Sequence, residues 1–250
     1  ELDFVAASED AMAAGTQASE LGAHHEAAGW FLRAVESIDP SAEETRLRVA
    51  CLVRYADELR LAGSPDQHEA LFSAAESAFD LGVEELIAAA VFAVLQLGSS
   101  TGSGPINAAA IEIAERALEV VTEPDQVALI AGGLSLAHSM SENSDLCRGL
   151  FLTSESQATS PGVRRAILPF TYLGLGHPDD LEMRRSLTAE LLDLSVESGD
   201  AVARFEALQL AFSVGLQLCD GAWTRSAVAE SASLIDKVGD VGRRWSLSYQ

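Results

Sequence analysis

Positive charge is scarce in this sequence, and lysine is almost missing. Lysine and arginine together number 16 against 38 aspartates and glutamates, which gives a formal net charge of −22. Such a chain repels phosphate backbones and anionic lipid headgroups, so we expect no direct nucleic-acid binding and no membrane binding. Lys237 is the single lysine, and this preference for arginine is typical of GC-rich bacterial genomes.

Long apolar runs and closely spaced cysteines are missing as well. The longest apolar stretch, 86–98, is shorter than the ~20 residues that cross a bilayer, and no basic segment precedes an apolar one at the amino terminus. We therefore expect a cytoplasmic protein. Cys51, Cys147 and Cys219 lie far apart in leucine- and alanine-rich stretches, which favours buried, reduced thiols over a disulfide framework.

Catalytic and metal-binding signatures are not found either. His24 and His25 are adjacent, so on a helix they point ~100° apart and cannot chelate one ion together. The glycine-rich segment 98–105 lacks the lysine of a phosphate-binding loop. Segment 133–137 lacks the second glycine of a nucleophile elbow. We predict a protein that is not an enzyme and that needs no cofactor or metal.

What the sequence does contain is a helical pattern. Apolar residues recur every three or four positions, and the alternation typical of strands is missing. Helix starts are indicated by N-cap residues followed by proline or an acidic residue, at Ser41, Ser64, Ser160, Asp179 and Asp200. Helix ends are indicated by glycine, at Gly63, Gly82, Gly176, Gly199 and Gly239.

These signals recur with a stride of about 39 residues. One class of helix ends near Gly82, Thr122, Ser160, Gly199 and Gly239. An arginine recurs at Arg165, Arg204 and Arg244, one turn into a helix. We interpret it as a residue that pairs with an acidic neighbour, and a ligand-anchoring role is the alternative. A constant stride predicts stacked helix pairs, since a single pair cannot bury its apolar side.

The predicted fold is an all-α, right-handed α-solenoid of about six helix-turn-helix units in one domain, 1–250. First helices are predicted near 3–21, 42–62, 84–98, 124–140, 162–176, 201–219 and from 241. Second helices are predicted near 24–38, 65–81, 105–121, 144–158, 180–198 and 223–238. Glu1 is not an initiator methionine and the last unit has one helix, so we expect a piece of a longer protein. Its exposed C-terminal helix is expected to support a homodimer.

The first unit resembles the tetratricopeptide (TPR) pattern, with Gly22 at the turn, Ala27, Phe31 and Ala34 on the second helix, and Pro40 beyond it. Segment 56–91 is similar to the helical arrays of large bacterial LuxR-type, ATP-binding transcription regulators and their cyclase-linked relatives. This resemblance implies a sensor array between an NTPase module and an output module. The array would take a protein, a peptide or a small-molecule inducer.

The resemblance points to the concave face of the array, which the first helices line in TPR proteins. Our candidate contact residues on these helices are Phe92, His138, Phe170 and Tyr172. Gly132, Gly133 and Pro169 disfavour helix, and they indicate either close helix packing or a groove opened for a ligand. A binding and sensor module is the favoured function, and a scaffold that only couples neighbouring domains is the alternative.

Overall fold

The computed structural model describes residues 4–38, 45–97, 108–139 and 144–238. Within these ranges the chain forms twelve α-helices and one 3₁₀ turn and no strand, which confirms the all-α class. The helices are α1 (Phe4–Glu20), α2 (His24–Ser37), α3 (Thr45–Leu61), α4 (Gln67–Leu81), α5 (Glu84–Leu95), α6 (Ala108–Val120), α7 (Pro124–His138), α8 (Ser144–Gln157), α9 (Pro161–Gly174), α10 (Leu181–Ser198), α11 (Ala201–Gln217) and α12 (Gly221–Val238).

Several predictions concern residues outside the described ranges. These are Pro40, the start signal at Ser41, the segment 98–105, Gly239, Arg244 and the helix from 241. The homodimer expected through that helix lies outside them too. The number of units, their handedness and the single domain stay predictions.

Most predicted helix boundaries are confirmed, because local signals set them. Gly22, Gly63, Gly82 and Gly199 have φ values of 72°, 65°, 70° and 68° at the ends of helices, a conformation that glycine adopts without steric cost. The Asp200 carboxylate accepts hydrogen bonds from the backbone of residues 202 and 203, at 2.8 and 3.3 Å. Ser160 caps α9 in the same way, with Pro161 as its first residue.

Two predicted N-cap residues are wrong, although the helices begin within two residues of the predicted starts. The Ser64 hydroxyl accepts a hydrogen bond from the Asp66 amide, which makes a turn, and α4 begins only at Gln67. Asp179 lies in the 3₁₀ turn Pro178–Asp180, so α10 begins at Leu181. The buried carboxylate of Asp180 bonds Arg148 on α8, so a tertiary contact overrides the local capping signal here.

Contacts divide the chain into two compact units, unit 1 (Glu1–Ile130) and unit 2 (Ala131–Gln250). In unit 1 each helix from α1 to α5 packs against the next, and α3 also contacts α5. The Phe31 ring is 1% exposed and lies against Gly15, where a Cβ atom would be 3.1 Å away. Glycine on α1 therefore lets the first two helices approach closely around this ring.

Polar contacts in unit 1 join corresponding helices of successive pairs. They are Arg46–Glu85 at 3.1 Å, Glu76–Arg116 at 2.8 Å, and Glu84–Thr122 amide at 2.7 Å. Their partners are 39, 40 and 38 residues apart, which is the stride that the sequence predicts. They link α3 to α5, α4 to α6, and the start of α5 to the start of α7.

In unit 2 each helix from α8 to α12 packs against its neighbour. An apolar core joins α8, α9, α10 and α11 through Phe151, Leu168, Leu187, Leu191 and Ala207. A second cluster joins α11 and α12 through Leu208, Ala211 and Ala227.

Two half-buried arginines tie the helices of unit 2 together. The Arg164 guanidinium donates to Glu155, nine residues earlier, and to Glu190, 26 residues later. Arg204 donates to Ser195, nine residues earlier, and to Glu230, 26 residues later. We call each arrangement an arginine clasp.

The clasps confirm that Arg204 pairs with an acidic residue, as predicted. They also correct which arginine is equivalent to it in the preceding repeat. The equivalent residue is Arg164, not Arg165, because only Arg164 repeats both spacings. Its hydrogen bonds to Glu190 raise the pKa of Arg164 above the ordinary value, so its charge is constant over any practical pH range.

The cysteine prediction holds for two of three residues. Cys51 and Cys147 are buried and form no disulfide within the described residues, and burial raises the pKa of Cys51. Cys219 is exposed, with a φ of 55°, because it lies in the turn between α11 and α12 rather than inside a helix.

Candidate functional site

The four residues predicted from the sequence lie on three helices, α5, α7 and α9. Phe92 lies on α5 in unit 1 and is half-buried. In unit 2, His138 lies in the last turn of α7, and Phe170 and Tyr172 lie on α9. His138 and Phe170 are half-buried, whereas Tyr172 is only 4% exposed.

Tyr172 lies in a packed environment. The Arg184 guanidinium on α10 is 5.7 Å from the centre of its ring. Within the described residues, the Tyr172 hydroxyl and Nε of Arg184 have no hydrogen-bond partner of normal geometry. Burial raises the pKa of Tyr172, and the charge of Arg184 opposes part of this rise. The tyrosine is therefore neutral at physiological pH.

Gly132 of α7 and Gly174 of α9 belong to tight helix contacts. A Cβ atom on Gly132 would lie 3.0 Å from the Ser154 hydroxyl and 3.3 Å from Cβ of Ile167. A Cβ atom on Gly174 would collide with Ser135. Both contacts lie within unit 2 and support the close-packing interpretation of Gly132.

An open groove does occur in unit 2, between α10 and α12. Its volume is about 360 Å³. It is lined by Arg185, Ala189, Leu192, Asp193, Asp220 and Trp223. We call it the α10–α12 groove. It lies on the predicted second helices of two successive pairs, and none of the four predicted residues lines it.

Local sequence explains the shape of this groove. The four lining residues of α10 are spaced by four, three and one positions, which puts them on one helix face. Asp220 caps α12, since its carboxylate accepts from the amides of Ala222 and Trp223 at 3.1 and 2.9 Å. This cap fixes the start of the helix and so the position of the Trp223 side chain.

Charged side chains share the groove with the tryptophan. The Arg185 guanidinium lies 5.9 Å from the centre of the Trp223 ring. It is also 3.7 Å from the Glu182 carboxylate. Asp193 is exposed, and its carboxylate has no ion-pair partner within the described ranges. The groove thus combines an aromatic face, one arginine and two carboxylates.

This arrangement suits the binding of a cation. A tryptophan face attracts cations, and the carboxylates of Asp193 and Asp220 accept hydrogen bonds from a charged donor. The only anionic groups among the six lining residues are these two carboxylates. The group that fits best is therefore the cationic end of a side chain.

Sequence reasoning missed this groove because it placed the binding face on the first helices. One signal was available, since Trp223 follows the capping residue Asp220 by three positions on an otherwise polar helix start. Which faces of α10 and α12 stay uncovered depends on packing that the sequence does not display.

A second polar group lies in unit 1. The Glu58 carboxylate is only 2% exposed and lies 2.8 Å from Nδ1 of His24. The Arg54 guanidinium is 3.8 Å from Glu58 and lies over the Phe31 ring at 4.9 Å. These residues join α2 to α3, so we interpret the group as structural.

Within residues 4–38, 45–97, 108–139 and 144–238, no group of three or more histidine, cysteine, aspartate or glutamate side chains could hold a metal ion. None of the helices in this part of the chain combines the length and the apolar character needed to cross a lipid bilayer. No protein-family model matches the chain, and no curated protein matches it significantly.

Proposed function

We propose that this chain is a non-catalytic protein-binding module whose α10–α12 groove takes a basic side chain of a partner protein. The observation that carries the proposal is Trp223 beside the carboxylates of Asp193 and Asp220 in one open groove. An aromatic ring and acidic acceptors together suit a cation better than an apolar or an anionic group.

The charge of the whole chain supports a basic partner. A net charge of −22 attracts positive segments over a distance and speeds their association. The volume of the groove, about 360 Å³, lies near the lower end of the roughly 300–1,000 Å³ of ligand pockets. It suits one side chain of an extended segment rather than a large cofactor.

The wider context follows from the family resemblance. We propose that the chain is a right-handed, TPR-like array of about six units in one domain of a cytoplasmic bacterial signalling or transcription regulator. In this context the array senses a partner protein and passes the signal to neighbouring modules. The resemblance of segments 22–40 and 56–91 to TPR and regulator arrays supports this proposal. Sequencing the full-length gene tests it, since an NTPase module and an output module should flank the array.

The scaffold alternative has one observation in its favour. The arginine clasps and the tight contact at Gly132 hold neighbouring helices of unit 2 firmly, as a mechanical coupling element requires. A scaffold of this kind would bind no partner in the groove.

The test is an NMR titration with an unstructured Gly/Ser peptide that carries two arginines. We expect the peptide to move the indole N–H signal of Trp223, assigned with Trp223→Phe, while the same peptide with glutamates leaves it unchanged. Asp193→Asn should weaken binding about three- to fivefold, the effect of one solvent-exposed ion pair.

The matched control is Glu197→Gln, which removes one charge from an exposed position on the same helix, one turn beyond Asp193. It should change the affinity less than about twofold, because Glu197 does not line the groove and cannot pair directly with a side chain bound there. Equal effects of the two substitutions, or a Trp223 signal that does not move, would contradict the proposed function.

A further inference from the structure

The Arg185 guanidinium already lies near the Trp223 ring, where the proposed partner's cation would bind. Its guanidinium is 5.9 Å from the centre of the Trp223 ring, near the ~6 Å limit of a cation–π contact. The same side chain is 3.7 Å from Glu182 and 53% exposed. Both contacts are long, so the guanidinium is shared between two partners and held firmly by neither.

We propose that Arg185 is an internal stand-in for the partner, and that an arginine of the partner replaces it over Trp223. The inference rests on the proposed function of the α10–α12 groove. It goes further in two respects, since it names the bound group as a guanidinium and makes Arg185 the residue that limits affinity.

A guanidinium fits this place better than an ammonium group. It is planar and weakly hydrated, and it stacks on aromatic faces, whereas an ammonium group is compact and strongly hydrated. Its fork of N–H donors can use two acceptors at once. The Asp193 carboxylate is exposed, and the hydrogen bonds of the Asp220 side chain engage only its Oδ1, so the groove that Trp223 lines also offers acceptor oxygens.

When Arg185 leaves the Trp223 ring, it can pair with Glu182 instead. Glu182 lies one turn earlier on α10, is 76% exposed and already faces the guanidinium. An incoming arginine repels Arg185 toward this carboxylate, which then pairs with it fully. The exchange therefore leaves no charge unpaired, and the loss of the Trp223 contact is its main cost.

The experiment compares four proteins with the arginine peptide and with the same peptide carrying lysines. They are the native chain, Arg185→Ala, Arg185→Lys and the control Arg225→Ala. Arg225 is an exposed arginine on α12 that contacts no aromatic ring among the described residues. Affinities come from the Trp223 indole signal, and the side-chain signals of Arg185 report its ring contact directly.

We expect the native chain to bind the arginine peptide at least twofold more tightly than the lysine peptide. Arg185→Ala should bind the arginine peptide about three- to fivefold more tightly than the native chain, which is the size of an exposed cation–π contact. Arg185→Lys should tighten binding about twofold, and Arg225→Ala less than that. The upfield ring-current shift of the Arg185 side chain should disappear when the peptide binds.

Failure of the inference differs from failure of the proposed function. Binding that depends on Asp193 while Arg185 keeps its ring-current shift would overturn the inference alone. Equal tightening by Arg185→Ala and Arg225→Ala, with no effect of Arg185→Lys, would overturn it too, because only charge would then matter. A peptide that does not move the Trp223 signal would overturn both.

Discussion

Units 1 and 2 use polar residues differently to join successive helix pairs. In unit 1 the pairs that span one stride lie at the surface, as in Arg46–Glu85, whose side chains are 65% and 68% exposed. In unit 2 the clasp arginines Arg164 and Arg204 are 27% and 19% exposed. A repeat of similar length can therefore be held by surface contacts or by half-buried ones.

This difference matters energetically. An exposed ion pair contributes little, because water and salt screen it and two long side chains lose freedom. A half-buried guanidinium with several charged hydrogen bonds contributes more, and its removal leaves acceptors without donors. We infer that the stride-spanning pairs add little to the stability of unit 1, whereas the clasps add more to the stability of unit 2.

The largest expected effect tests what the two units share. Phe31 in unit 1 and Phe205 in unit 2 are both 1% exposed. Phe31→Ala and Phe205→Ala should each lower the free energy of unfolding of their own unit by about 3–5 kcal/mol, through lost burial and a cavity. Native-state hydrogen exchange, which reports local stability, measures the loss in each unit.

The controls for this pair are Leu21→Ala and Leu216→Ala, whose native side chains are 77% and 55% exposed. Each should change stability by less than about 0.5 kcal/mol. If a control substitution lowered the free energy of unfolding as much as its buried counterpart, the phenylalanine of that unit would not be a main contributor to its core.

The next effect separates the units. Arg204→Gln removes the donors to Glu230, Ser195 and the Leu192 carbonyl, and should destabilise unit 2 by about 1–2 kcal/mol. Arg46→Gln breaks one exposed pair in unit 1 and should cost less than about 0.5 kcal/mol. Urea unfolding combined with hydrogen exchange measures the free energy lost in each variant. Equal losses would contradict the proposed difference between the two units.

The smallest effect concerns the acid range. The amides of Thr122 and Glu123 donate to the Glu84 carboxylate and lower its pKa. A carboxylate whose pKa is lowered on folding stabilises the protein above its unfolded pKa, and this contribution is lost as the pH falls through the folded value. Glu84→Gln should therefore be less stable than the native chain at pH 7, and the difference should shrink in acid.

Urea unfolding at pH 7 and pH 3 measures this change, since the ordinary pKa of glutamate is about 4.3. Glu115→Gln, at an exposed site on α6, serves as the control and should show no such pH dependence. A difference between Glu84→Gln and the native chain that persists at pH 3 would contradict the assigned cause.

Much of the fold was predictable because its signals are local. Proline, capping residues and glycine determine where α9 and α11 begin and where α4 and α10 end, and these depend on few neighbours. The capping residue of α10 was predicted wrongly, since Asp179 lies in a 3₁₀ turn and Arg148 on another helix engages Asp180. The prediction placed the first clasp arginine at Arg165 rather than Arg164, because the sequence alone does not distinguish two adjacent arginines.

The candidate site was much less predictable. Trp223 and Arg185 are 38 residues apart, and their contact depends on which faces of α10 and α12 remain uncovered. The aromatic residues that the sequence does suggest lie elsewhere, and Tyr172 among them is buried. A groove on the second helices could not be inferred from a family in which the first helices form the binding face.

The constant spacing of the clasps also shows how such a repeat can diverge. Helix α9 has 14 residues and α11 has 17, yet both arginines meet a glutamate 26 positions later. The three residues of the 3₁₀ turn Pro178–Asp180 make up the difference. In this chain, helical residues can be replaced by turn residues without changing the spacing between the clasp arginine and its glutamate. A profile built on a capping residue, an arginine four positions on and a glutamate 26 further would then detect distant relatives that helix lengths conceal.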